Sequence, residues 1–129
     1  MGNIGGNRQA VIQIMHAAQN KIGEQEPIYI DAFTDFTGWL DLSAGDSRHL
    51  NYNAKIQEST HVFLCDYFDL CCRREGQPDI KATPENSRMI VDGEVYEVML
   101  YDDPMGMHEH LEIYLKYTGG RMHGGRVSR

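Results

Sequence analysis

No stretch of this 129-residue chain approaches the roughly 18 consecutive apolar residues of a membrane-spanning helix, so no membrane partner is expected. The start, Met1-Gly-Asn-Ile-Gly-Gly-Asn-Arg8, lacks the basic-then-apolar order of a secretory signal. Gly6 stands where a myristoylation motif needs Ser or Thr. Cationic charge is scarce. Twelve Lys and Arg against nineteen Asp and Glu give a net charge of −7, which excludes general DNA affinity, since that needs clustered cations to displace counterions. It does not exclude a protein that surrounds DNA without gripping it. Cysteine is scarce too. Cys65, Cys71 and Cys72 are odd in number, and with no export signal they read as free thiols of a reducing compartment. Adjacent Cys71-Cys72 is not the Cys-x-x-Cys spacing of zinc sites. Also missing are a nucleophile elbow, a phosphate-binding glycine loop and a His-Glu-x-x-His motif. Gly5-Gly6 and Gly119-Gly120 lack the strand-to-helix context of a nucleotide site. These absences point to a non-enzymatic chain with no cofactor.

What remains is ordinary globular material, 41% apolar and 24% charged, enough for one domain with a modest core. We expect a disordered N-terminus over 1–9, one domain over 10–117 and a flexible glycine-rich tail over 118–129. Residues 10–19 fit a strand or a helix equally. Val11, Ile12, Met15 and Ala18 have helical spacing, whereas the β-branched content suits a strand. Ile28–Phe33, Gly38–Ser43 and Ser59–Phe68 are strand candidates. Between them, 44–58 is a polar loop with room for one short helix, and 69–85 is a second long loop carrying Gly76, Pro78 and Pro84. Trp39 is read as a core residue.

The C-terminal third fixes the fold class. Asp92-Gly93 is a two-residue hairpin signal, because a type I′ turn needs positive φ at both centres. Placing those two at the turn sets Ile90 opposite Val95, Met89 opposite Tyr96 and Arg88 opposite Glu97. The last strand alternates, with Met107, Leu111, Ile113, Leu115 and Tyr117 on one, core-facing side, interrupted by Glu109, and His108, His110, Glu112, Tyr114 and Lys116 on the other. The expected architecture is all-β, a small antiparallel barrel with long loops. Two strands carry apolar residues on both faces: Val95 and Met99 against Val98 and Leu100, and Val62 and Leu64 against Phe63 and Tyr67. One small barrel cannot bury all of these, so a loop packed outside or a partner subunit has to cover the remainder. Phe63, Tyr67, Val98 and Leu100 are the candidate interface residues.

His108, His110 and Glu112, at alternate positions of a strand, would project together and could meet one cation. A cupin-like, metal-dependent barrel enzyme is therefore an alternative. The cupin pattern, however, places its Glu further on and needs a fourth ligand. Asp102-Asp103 before Pro104 reads as a turn start rather than a catalytic carboxylate pair.

Gly38-Trp39-x-Asp41, then Ala54-Lys-Ile-Gln-Glu-Ser-Thr-His-Val62, then Ser87-Arg-Met-Ile-Val-Asp-Gly-Glu-Val-Tyr-Glu-Val98 resemble, in order and spacing, the bacteriophage head-closure (head–tail connector, stopper) proteins. The likeness covers about residues 28–117. The 69–85 loop is longer here than in the family pattern, and 102–110 matches no signature of it. The resemblance implies a virion protein made in the bacterial host cytoplasm. It would assemble as a homo-oligomeric ring, while the isolated chain can stay monomeric. Its partners would be a portal or adaptor ring and the tail proteins, around double-stranded DNA it does not read. It further implies a channel-facing loop bearing Gly45, Asp46, Ser47, Arg48, His49, Asn51, Asn53, Lys55 and Gln57. A tail-completion or adaptor role in the same connector is the third reading.

Overall fold

The hairpin at Asp92-Gly93 forms as its chemistry dictates. Both residues take positive φ, 49° and 85°, and the flanking strands pair Ile90 with Val95, Met89 with Tyr96 and Arg88 with Glu97. The structure is a computed structural model that describes residues 4–19, 22–43, 58–123 and 126–128. Its strands are β1 (Arg8–Gln19), β2 (Gln25–Leu42), β3 (His61–Asp66), β4 (Cys71–Cys72), β5 (Ile80–Lys81), β6 (Ser87–Val91), β7 (Glu94–Asp102), β8 (His110–His123) and β9 (Arg126–Ser128).

Six of these close a ring in the order β3-β2-β1-β6-β7-β8, with β8 returning to pair with β3 from His61↔Leu115 to Asp66↔His110. Every pairing is antiparallel, and β9 continues the sheet beyond β8. The barrel is thus closed, which removes the sheet edges that an open arrangement would leave. Residues 10–19 are strand. Ala10, Ile12 and Ile14 alternate into the core, and that period of two is what a half-buried sheet requires. The two candidates at 28–33 and 38–43 are one strand, bent by an irregularity near Thr34-Asp35, where Asp35 has φ 58°. The 69–85 segment contains the small β4–β5 ladder. Strand pairing extends beyond both expected domain bounds, starting at Arg8 and running on in β8 to His123 and in β9 to Ser128.

The core is filled from all six walls, chiefly by Ile12, Ile14, Phe63, Met89, Leu111, Ile113 and Leu115. One end of the barrel carries the Asp92-Gly93 turn and the start of β3. The other carries the chain from Asp66 to Ser87, the β7–β8 connection with its 3₁₀ turn at Pro104–Gly106, and the tip of the β1–β2 hairpin. The wall between β2 and β3 is thin, four residue pairs from Trp39↔Leu64 to Leu42↔His61. Gly38 makes that approach workable, since a Cβ there would sit 2.4 Å from the Leu64 carbonyl oxygen and the Phe63 ring.

Candidate functional site

β7 decides which residues are available at the surface. Tyr96 and Val98 point into the core, but the ladder shifts between Val98↔Leu115 and Leu100↔Tyr114. Met99 is the extra residue. A bulge of one residue reverses the faces beyond it, so Leu100 lies with Met99 outside and Tyr101 turns inward against the core. Outside the wall, Met99, Leu100, Val62 and Tyr114 form a second small apolar cluster.

This corrects the interface assignment. Phe63 is 0% exposed and Val98 2%, both inside the barrel, where no partner can reach them. Val62, on the opposite face of β3 from Phe63, belongs to the outer cluster instead. Tyr67 and Leu100 are half-buried and share one feature, a cavity of about 350 Å³ lined also by Phe68, Leu70, Tyr101 and Leu111, with Asp103 and His108 at its rim. Trp39 is the other correction. It is 46% exposed on the outer wall, and its indole N–H donates to the Ile4 carbonyl at 3.0 Å.

His108, His110 and Glu112 do not converge as a ligand set. His108 precedes β8 with φ 57°, stacks on Tyr67 at 4.4 Å between ring centroids, and pairs through Nδ1 with Asp103. Asp103 also accepts the His108 backbone N–H at 3.0 Å, which is the turn role expected of it. His110 instead meets Glu112 at 3.1 Å, and the other Glu112 oxygen accepts the Tyr114 hydroxyl at 2.9 Å. The His-x-His-x-Glu spacing fails because its first member never joins the strand. Among the described residues no group of three His, Cys, Asp or Glu is placed to hold a metal ion.

The cavity walls are mostly aromatic and aliphatic, with Asp69, Lys81 and Thr83 also in the lining, and the Tyr101 hydroxyl is engaged. Ser87 Oγ donates to the Thr83 carbonyl and so accepts from the Tyr101 hydroxyl at 2.8 Å. Burial pushes the Tyr101 phenol pKa upward, against a smaller downward effect of that hydrogen bond. The Asp103–His108 pair is bonded to itself rather than to this hydroxyl pair, so the rim has no built relay from base to nucleophile. Sequence pattern marks neither Asp103 nor Met105 as a site residue; the available signal is Pro104 set between the acids Asp102-Asp103 and Met105-Gly-Met107.

The polar connection carrying Gly45, Asp46, Ser47, Arg48, His49, Asn51, Asn53, Lys55 and Gln57 lies outside the described residues. Its two feet are described, and they are pinned together. The Ser43 N–H donates to the Thr60 carbonyl at 3.0 Å, and the Ser59 hydroxyl donates to Ser43 Oγ at 2.8 Å. Thr60 is in turn tied to β8, donating its N–H to the Leu115 carbonyl at 2.8 Å and accepting the Tyr117 N–H at 2.8 Å. A scan against protein-family models finds no match to this chain, and a search of curated proteins likewise finds none.

Proposed function

We propose that this protein is a structural component of a phage or prophage head–tail connector, closing the DNA-filled head and joining it to the tail, with no enzymatic step. The observation that carries the reading is the pinned stem. A closed six-strand barrel holds Ser43, Ser59 and Thr60 in one hydrogen-bonded group at one end, so the connection between them is presented from a rigid frame. Binding and working segments are commonly loops held by such scaffolds. The net charge of −7 suits a conduit that lets DNA pass without gripping it, and the ordered likeness of Gly38–Asp41, Ala54–Val62 and Ser87–Val98 to head-closure proteins supplies the assembly context. In this reading the chain joins a ring on the portal or adaptor ring of the virion.

The test is direct. The purified chain is mixed with the portal–adaptor complex of the same phage or prophage and imaged by electron microscopy. Added ring density at the connector is the expected result, and an unchanged complex overturns the reading. Metal analysis of the purified protein tests the enzyme alternative, for which the separated positions of His108 and His110 give no support.

A further inference from the structure

We infer that the barrel end remote from the pinned stem is a docking surface for a protein whose contact face sets apolar sockets among Lys and Arg side chains. Three observations converge on that end.

The first is where the exposed apolar residues lie. Met15, Ile22, Ile28, Tyr29, Met105 and Met107 are large hydrophobics left exposed at this one end, and only Trp39, Leu42 and Tyr117 are comparably exposed elsewhere among the described residues. Scattered apolar residues mean little, but a concentration at one end marks an interaction site.

The second is the shape that presents them. Beyond Met15, the β1–β2 hairpin leaves the barrel. β1 pairs with β6 only as far as Ile14, and β2 pairs with β3 only from Trp39 onward. The Met15 N–H still donates to the Asn86 carbonyl at 2.6 Å, but from His16↔Ile28 to Gln19↔Gln25 the two strands pair only with each other among the described residues, a ribbon roughly 14 Å long at the usual rise per residue. Two strands alone are marginal in water. At its base Arg88 lies 3.7 Å over the Tyr29 ring and donates through Nε to Gln13, so the ribbon is held at a fixed point as it leaves the barrel. At the same end, on the β7–β8 connection across the barrel mouth, Met105 takes φ 58° and is 94% exposed. An apolar side chain held out to solvent by a left-handed backbone is an anchor in search of a socket.

The third is charge, and it selects the occupant. The loops at this end, 67–86 and 102–109, hold seven Asp and Glu against three Lys and Arg. Arg73 is already engaged by Asp69 and Asp79. The apolar projections therefore stand in a negative field. A second copy docking end to end would bring like charges together, and nucleic acid would be repelled. A basic, apolar-socketed protein face is complementary on both counts.

The inference rests on the connector reading for the partner's place, which is the neighbouring ring. Binding of the cognate portal–adaptor complex is measured for wild type, Met105→Ser/Met107→Ser, Ile22→Ser/Ile28→Ser and the opposite-end control Leu42→Ser, at low and high salt. All five substituted positions are exposed, and circular dichroism verifies that each variant is folded. The expected result is a loss of about tenfold or more for each double variant, the size of one lost anchor. Wild-type binding should weaken as salt rises, with Leu42→Ser unchanged. If wild type binds and the double variants bind equally well, the docking end is wrong while the connector reading stands. If wild type does not bind, both fall. If sedimentation shows a dimer that Met105→Ser/Met107→Ser dissolves, the occupant is a second copy and the inference is overturned.

Discussion

Cys65, like Tyr101, has its chemistry pushed far from ordinary behaviour by burial. Its side chain is sealed within the barrel wall, and burial, with a smaller push from Asp66, raises the thiol from its usual value near 9 to about 12. Cys71 and Cys72 are half-exposed. Near pH 8 a thiol reagent is expected to label these two in the native protein and to reach Cys65 only after unfolding, checked by intact mass; rapid labelling of all three would contradict the burial. The same shift sets a pH dependence. The folded protein holds the Cys65 proton where the unfolded chain releases it, so the stabilisation is full below about pH 9 and is lost as pH rises toward 12, at up to about 1.4 kcal/mol per pH unit for one group. Cys65→Val should flatten urea midpoints measured over that alkaline range. A buried free thiol was legible in the sequence, because cysteine is a small apolar residue in practice. Trp39 was not. Its ring favours a core by type, but the position on β2 faces outward and its N–H found the Ile4 carbonyl.

Among the elements, the β6–β7 hairpin was readable to the register because Asp92-Gly93 names its own turn. β7 beyond Val98 was not, since the bulge at Met99 has no glycine or proline to mark it, and alternation carried through it puts every later residue on the wrong face. The same defect hid the cavity, because Tyr101 and Leu100 exchange sides there. The candidate metal set failed for a related reason, with His108 outside the strand whose period it appeared to share. Burial after the correction ranks the substitutions. Phe63→Ala should cost about 3–5 kcal/mol, as a large aromatic removed from a closed core. Leu100→Ser, on the outer cluster, should cost about 1 kcal/mol, typical of a half-exposed site. Chemical denaturation of the two variants tests the assignment, and the reverse order would put the core on the other face.

For the molecule as a whole, the small antiparallel barrel expected from the sequence is what forms, although the pairing that closes it, β3 with β8, joins segments far apart in sequence and has no local signature. Closure also has a weak point. The β2–β3 wall rests on four residue pairs. The β6–β7 wall is equally short, but Asp92-Gly93 ties its strands directly, whereas no two-residue turn joins β2 to β3. The chain before β1 reinforces the β2–β3 wall from outside. The Ile4 N–H donates to Asp66 Oδ1 at 2.7 Å, beside β3, and its carbonyl accepts from Trp39 on β2. Gly6 lies so close to Gly38 that a Cβ would sit 2.3 Å from the Gly38 carbonyl, so this crossing admits no side chain. The segment acts as a strap over the seam next to which the pinned stem begins. Among the described residues two hydrogen bonds of ordinary strength hold it, so removing the residues before Asn7 should lower stability by about 1–3 kcal/mol. The loss should also be local. Hydrogen exchange of the amides bridging β2 and β3 should accelerate first, while those between β6 and β7 keep their protection, because openings follow the least-supported unit of a structure. Trp39→Phe, which keeps an aromatic ring and removes the donor, should reproduce part of the effect. Equal acceleration in both walls would mean that the strap supports the whole barrel rather than its seam, and no acceleration would mean that four residue pairs hold the seam unaided.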